Sequence, residues 1–176
     1  MLDDLDIQYR HRDDDAIFIL FETRQYRNPE GEPALWMIIS LDEGGEYFKL
    51  FAPNAFTAEG DHPDIFLKAC LVVQWRTKLI QFEYDDTDGE IRPIIEFPIE
   101  DGSLTTQQLK RCIGGMVQLI DEYAPFLERA LEDGVIEQGE PGEEEEMIEF
   151  LSYLFEGFPE EIIGEALRKA ERRKRG

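Results

Sequence analysis

The sequence contains few of the residues from which metal sites and nucleophilic sites are built. It has two histidines and two cysteines in 176 residues, and His11 and His62 lie far apart along the chain. Zinc sites need three or four such ligands, usually at short and regular spacings. Cys70 and Cys112 fall on apolar stretches that are predicted to be helical, where free cysteines usually pack as small hydrophobic residues. The sequence therefore predicts no metal site, and it predicts two structural thiols.

Basic residues are also scarce, and this scarcity limits the partners that the protein could bind. Lysine and arginine number 18 against 40 acidic residues, and the formal net charge is −22. Six of the basic residues lie within residues 168–176. Such a charge repels phosphate groups and anionic lipids but attracts basic proteins. We therefore expect no binding to nucleic acid or membrane, and a basic C-terminus that pairs with the acidic body or with a helix dipole.

Long apolar runs and catalytic motifs are missing as well. The longest apolar run, Ala16 to Phe21, is far too short to cross a bilayer, and the first fifteen residues hold six aspartates instead of a signal peptide. Neither a nucleophilic serine motif nor a phosphate-binding glycine loop is present. An EF-hand alignment on Gly89 puts Tyr84 and Ile95 at ligand positions, so the acidic turn nearby predicts a hairpin tip. We expect a cytoplasmic protein that has no cofactor and is not an enzyme; the alternative is an enzyme with an unrecognised carboxylate site that needs a divalent cation.

The residues that are plentiful favour a folded core. Hydrophobic residues make up 42% of the chain, and 12 of them are phenylalanine. Three β-rich segments come first, at 16–23, 35–41 and 46–52, with turn residues between them. We predict that they form an antiparallel meander. The first segment is apolar on both faces, which is typical of a strand that is covered on both sides.

A helix and a hairpin follow the meander. Pro63 begins a predicted helix that extends to Arg76 and is apolar on most sides, so it should be buried against the sheet. Residues 79–85 and 90–99 then alternate apolar and polar side chains around an Asp-Thr-Asp-Gly turn. Pro93 removes a backbone donor from the second of these strands. This strand is therefore predicted to lie at a sheet edge or to carry a bulge.

A second, longer helix has the best-defined start in the chain. Thr105 and Gln108 form a capping box, and an apolar seam with helical spacing continues to Leu131. Pro125 should kink or restart this helix, and Gly134 is a suitable C-terminal stop. The predicted fold is α+β, with an antiparallel sheet of about five strands in the order β-β-β-α-β-β-α and helices 63–76 and 105–133 on one face.

The composition changes after Gly134. An acidic linker leads into two predicted amphipathic helices, at about residues 144–156 and 159–173. We therefore divide the chain into an α+β domain at 1–134 and an extension at 135–176 that consists of the acidic linker and a C-terminal helical pair.

One run of residues resembles a known family. The run consists of Trp75, Phe82-Glu83-Tyr84-Asp85, Asp88-Gly89-Glu90-Ile91-Arg92, Glu96-Phe97-Pro98-Ile99-Glu100-Asp101, Leu104-Thr105 and Leu109. With the order of elements above, it is similar to the YbjN-type family of bacterial sensory transduction regulators, which have the type III secretion chaperone-like fold. The likeness covers about residues 16–131. It implies a small, acidic and often homodimeric protein that holds extended segments of partner chains, although the family usually opens with a helix and lacks the extension found here.

These observations predict a protein-binding module, acting as a chaperone-like adaptor or regulator. Its partner would be a basic or extended polypeptide that docks on a sheet edge or on the exposed sheet face. The candidate contact residues are Arg92, Ile94 and Glu96 on the predicted edge strand, Gly114 and Gly115 in the long helix, and Tyr153, Phe155 and Phe158 in the C-terminal pair. Each helical glycine costs roughly 1 kcal/mol relative to alanine. Close approach to the sheet or to a second subunit in a homodimer would explain the glycine pair, and simple tolerance explains it equally well.

Overall fold

Alternating strand segments and two helical segments form an α+β fold in the computed structural model, which describes residues 1–12 and 16–136. The predicted fold class is therefore confirmed. The predicted helical pair and its linker from residue 137 onward lie outside the described residues. The strands are β1 (Tyr9–His11), β2 (Ala16–Glu22), β3 (Ala34–Asp42), β4 (Tyr47–Phe51), β5 (Phe56–Thr57), β6 (Gln81–Tyr84) and β7 (Glu90–Pro98); the helices are α1 (Pro63–Arg76) and α2 (Thr106–Glu132).

All seven strands belong to one antiparallel sheet. The strand order is β1-β2-β3-β4-β7-β5, and β6 pairs with the other side of β7. The predicted meander is confirmed as β2-β3-β4, in which Ile17 lies opposite Ile39 and Ser40 lies opposite Lys49. The sequence missed β1 and β5 because strands of three and two residues are too short to show a periodic pattern. Ahead of β1 the chain forms one 3-10 turn at Asp3–Leu5.

Strand β7 lies in the interior of the sheet, so the predicted edge position of residues 90–99 is wrong. Residues of β7 pair with β4 and β5 on one side and with β6 on the other. Pro93 is tolerated there because β4 ends at Phe51 and β5 begins only at Phe56, so no ladder donor is needed opposite it. Its carbonyl still accepts a hydrogen bond from the Ala52 N–H at 3.0 Å. Within the described residues, the outermost strands of the sheet are β1, β5 and β6.

The inner face of the sheet packs against α2. Side chains of this helix such as Ile113 and Met116 share one buried cluster with Met37, Leu50 and Ile95 of three different strands. The capping box is confirmed, since the Gln108 N–H donates to Thr105 Oγ1 at 3.2 Å and the Thr105 N–H donates back to Gln108 Oε1 at 2.9 Å. Alternation of apolar residues along each strand therefore creates a core on this face.

The ends and the middle of α2 show how local signals set its limits. Gly134, just past the helix end, has φ +68°, a left-handed conformation that favours glycine. The helix continues through Pro125 without restarting, because residues on both sides of the proline, such as Tyr123 and Phe126, are buried and held by packing. Tertiary contacts thus outweigh the loss of one backbone hydrogen bond.

The position of α1 differs from the prediction. Phe66, Ala69 and Val73 are buried against Phe126 and Leu127 of α2, and this helix also contacts β6. Helix α1 therefore packs mainly against α2 rather than against the sheet. One side of α1 remains exposed, so the apolar pattern around most of its circumference did not mean burial on most sides.

Candidate partner-binding surface

The outer face of the sheet, on the side away from α2, carries large apolar side chains. We define this outer face by the alternate residues of β2, β3, β4 and β7 that point away from the core. Leu20 is 46% exposed and Trp36, its cross-strand neighbour, is 44% exposed. The prediction that β2 is buried on both faces was therefore wrong at Leu20, because nothing in the described part of the chain covers this side chain.

A groove of about 400 Å³ runs across the middle of the outer face. Ile38 and Ile94 lie in its floor and are buried, whereas Phe51, which pairs with both of them across strands, is half-buried. The Arg92 guanidinium lies 5.4 Å from the centre of the Phe51 ring. Long cationic side chains thus cover part of an apolar floor while their charged ends stay near solvent.

Two ion pairs border this groove. Lys49 Nζ lies 2.8 Å from Asp42 Oδ2, and Arg92 Nε lies 2.6 Å from Glu83 Oε2. The hydrogen bond from Lys49 lowers the pKa of the Asp42 carboxyl below its ordinary value. Since all four side chains are partly exposed, these pairs contribute little to stability.

A cleft of about 430 Å³ adjoins the outer face at the start of β3. Its lining includes the aromatic residues Phe18 and Trp36 and the acidic residues Glu30 and Glu32. Tyr26 lines its depth and donates from its hydroxyl to the Ala55 carbonyl at 2.8 Å. Burial raises the pKa of the Tyr26 phenol, and the nearby Glu30 carboxylate raises it further.

The loop that carries Tyr26 is held in place by α2. Oδ1 of Asp121 accepts hydrogen bonds from the backbone N–H groups of Arg24, Gln25 and Tyr26 at 2.9, 2.7 and 2.9 Å. The Thr23 hydroxyl donates to the Tyr26 carbonyl at 2.8 Å, which closes the same turn. A single carboxylate therefore fixes one wall of the cleft to the core helix.

The predicted contact residues fall into three groups. Arg92 and Ile94 line the groove, and Glu96 lies opposite Lys49 on the same face. Gly114 and Gly115 lie on α2, which covers the other face of the sheet, so the structure does not bring them to this surface. A Cβ added at either glycine would meet nothing within 4 Å, so close approach to the sheet does not explain the pair. Tyr153, Phe155 and Phe158 lie outside the described residues.

Three surface residues were missed by the sequence prediction: Phe18, Leu20 and Trp36. Phe18 and Leu20 lie on the strand that was expected to be covered on both faces, and Trp36 lies on the next strand, for which no exposed face was predicted. The signal that could have identified them is the register of the meander, because it places them together on the face that α2 does not cover. The sequence alone does not show which face of a strand is covered.

The acidic turn between β6 and β7 is confirmed as a hairpin tip. Asp85 Oδ1 accepts hydrogen bonds from the Thr87 N–H and hydroxyl at 2.9 and 2.6 Å, and Gly89 has φ +78°. These bonds lower the pKa of the Asp85 carboxyl. Among the described residues, no group of three or more histidine, cysteine, aspartate or glutamate side chains is arranged to hold a metal ion.

The two cysteines are buried free thiols, as predicted. Cys70 belongs to the cluster between α1 and α2, and Cys112 belongs to the cluster between α2 and the sheet. Burial raises the pKa of Cys70 to about 12 and also raises that of Cys112. Within residues 1–12 and 16–136, none of the helices has the length and apolar character needed to span a bilayer.

Comparison with known proteins finds similarity in solved structures. One is a chain of the HopA1–SchA chaperone–effector complex, with 16% identity over 66% of this chain and 81% of that chain, at a TM-score of 0.46. Another is YbjN from E. coli, a candidate transcription regulator, with 12% identity over 70% of this chain and 86% of that chain, also at 0.46. The sequence resemblance named two kinds of protein, a secretion chaperone and a YbjN-type regulator. A chaperone complex and YbjN are both among these structures. No protein-family model and no curated protein matches the chain.

Proposed function

We propose that this protein is a non-enzymatic adaptor that binds a partner polypeptide on the outer face of its sheet. The observation that supports this proposal is the exposure of Leu20 and Trp36 beside an apolar groove bordered by ion pairs. Contiguous exposed apolar surface usually marks an interaction site, and aromatic residues with arginine are enriched in such sites. The two halves of the surface, groove and cleft, share the β2–β3 strands and so form one continuous area.

The chemistry of the cleft favours a basic segment as the ligand. A lysine or arginine of the partner would find the face of Trp36 together with the Glu30 and Glu32 carboxylates. Cation–π contact and paired carboxylates both stabilise such a side chain. Apolar side chains two residues further along an extended chain would then reach the groove floor at Ile38 and Phe51. The negative net charge of the protein would accelerate encounter with a basic partner at low salt.

Site-directed photo-crosslinking tests the proposal. A photoreactive phenylalanine analogue is placed at position 36 and, as a matched control, at the exposed Gln118 of α2, on the other side of the molecule. We expect position 36 to yield a reproducible crosslinked polypeptide in native lysate, with a yield that falls as salt is raised. Equal yields from positions 36 and 118, or none from position 36 in a correctly folded protein, would contradict binding at the outer face.

A further inference from the structure

A second apolar surface lies on the exposed side of α1, away from the outer face of the sheet. Trp75 is 89% exposed and Leu71, one turn earlier, is 64% exposed. Leu79, just after the helix, is 50% exposed. Residues four apart lie on the same side of a helix, so Leu71 and Trp75 form a stripe, which we call the α1 stripe together with Leu79.

The exposure of these residues is not required by the fold. The opposite side of α1 already packs through Phe66, Ala69 and Val73, which are fully buried. Tryptophan is a residue that proteins normally bury for the most part, and an almost fully exposed tryptophan beside an exposed leucine is informative. Leu71 and Trp75 have the spacing of residues that receive another helix.

The backbone at Leu79 supplies an independent observation. Leu79 has φ +76°, in the left-handed region that glycine adopts freely and bulky residues avoid. Glycine at this position would relieve that strain. A half-exposed leucine side chain that is held at such a backbone cost indicates a function for its apolar surface.

The charges around the α1 stripe identify the chemistry of its occupant. Residues 64–82 contain three basic residues and one acidic residue, Asp64, in a chain with 40 acids. Lys68 lies one turn before Leu71, and Lys78 lies just after Trp75. Neither lysine has an ion-pair partner among the described residues. The stripe is therefore a locally cationic and apolar area on an otherwise acidic protein.

A second copy of this chain fits the α1 stripe poorly. If two α1 helices packed antiparallel with Leu71 against Trp75 of the other copy, Lys68 of each would face Lys78 of the other. Juxtaposed like charges oppose association. An acidic helix, in contrast, would place glutamates beside both lysines while its apolar side covers the tryptophan.

We propose that the α1 stripe is a docking site for an amphipathic helix of a partner protein that is apolar on one side and acidic along its borders. This site is separate from the outer face of the sheet and does not depend on the function proposed for that face. The helix would bind by packing leucine-type side chains against Leu71, Trp75 and Leu79, with carboxylates at Lys68 and Lys78.

A peptide titration of the full chain tests the proposal. The probe is a synthetic 18-residue helical peptide with leucines at i, i+3, i+4 and i+7 and glutamates at the flanking positions; the control peptide has lysine in place of glutamate. The two tryptophans of the chain lie one in each surface, so the Trp36→Phe variant leaves Trp75 as the sole indole reporter. We expect saturable binding of the acidic peptide with a blue shift of Trp75 emission, and binding of the lysine peptide that is at least tenfold weaker.

Three variants separate docking from structural roles. Trp75→Ala should weaken binding of the acidic peptide roughly tenfold or more, as removal of an interface tryptophan usually does, whereas Trp36→Ala should leave it unchanged. Leu79→Gly should weaken binding while its melting temperature stays equal or rises. The proposal is overturned if both peptides bind equally, if Leu79→Gly lowers the melting temperature without changing affinity, or if Trp75→Ala only dissociates a dimer of the chain. If position 36 yields no crosslinked polypeptide while the acidic peptide still binds, only the proposal for the outer face of the sheet is refuted.

Discussion

Asp121 offers the sharpest test of how the cleft is built. Its Oδ1 atom accepts three backbone N–H groups from residues 24–26, all within 2.9 Å. Replacing Asp121 by alanine leaves these three donors without their acceptor. Water can satisfy the exposed N–H groups of Arg24 and Gln25, but less easily the partly buried N–H of Tyr26. We therefore expect Asp121→Ala to cost about 2–3 kcal/mol, the sum of one unsatisfied donor and two weakened charge-assisted bonds.

Asparagine at position 121 separates charge from geometry. Asp121→Asn keeps an oxygen acceptor in place but removes the charge that roughly doubles the strength of such bonds. Its expected cost is about 1 kcal/mol, and both costs can be measured by urea unfolding followed by circular dichroism. Gln118→Ala is the matched control, since Gln118 is an exposed residue on the same helix, three positions away.

Amide hydrogen exchange gives a second readout for the same variants. The N–H groups of residues 24–26 should lose protection in Asp121→Ala, whereas the amides of α2 should keep theirs. The role assigned to Asp121 would be refuted if Asp121→Ala were as stable as Gln118→Ala, or if protection of the 24–26 amides were unchanged. In that case the loop would be held by Tyr26 packing, and the carboxylate would be incidental.

Two further predictions concern helix α2 and the buried ionisable groups. Gly114→Ala and Gly115→Ala should each raise the free energy of unfolding by about 1 kcal/mol, because a Cβ there meets no neighbouring atom; a loss of stability would contradict this. If the pair serves a homodimer, light scattering would show a lower mass for the double variant. Stability should also fall at alkaline pH: the pKa of Cys70 is raised from 9.0 to about 12 and that of Tyr26 is raised from 10.0, so the unfolded chain loses these protons first. The stabilisation is complete below about pH 9 and is lost as pH rises towards 12, and urea midpoints across this range should fall more gently for Cys70→Ala.

The sequence predicted well the elements that its own local chemistry encodes. The capping box at Thr105, the stop at Gly134 and the turn at Asp85–Gly89 are each set by side chains within a few residues, and all three are present in the structure. The strands of the meander have enough residues for their pattern to be visible. β1 and β5 do not, and they exist only because longer strands offer them an edge to pair with.

The candidate surface could be predicted only in part, for a different reason. Arg92, Ile94 and Glu96 were predicted as contact residues because they lie on the strand that was assigned to a sheet edge. They still share the outer face, because alternate residues of a strand point to the same face whichever strands it pairs with. The edge position assigned to that strand was wrong, because Pro93 falls beside the gap between β4 and β5 rather than at an open edge. Local sequence shows that a donor is missing, but it does not show whether the neighbouring strand needs that donor.

Exposed apolar residues could not be predicted for a similar reason: local sequence does not show which side of an element is covered. Leu20 and Trp75 belong to segments whose apolar content was taken as evidence of burial, yet each is exposed once one side of its strand or helix has packed. An element that is apolar on both sides can be buried on both sides or can bury one side and present the other. The choice depends on how many layers the fold provides, and the described residues provide only one helical layer, on the inner face of the sheet. In a chain of charge −22, solubility does not require these residues to be buried. They can therefore remain exposed in the folded protein and contact a partner.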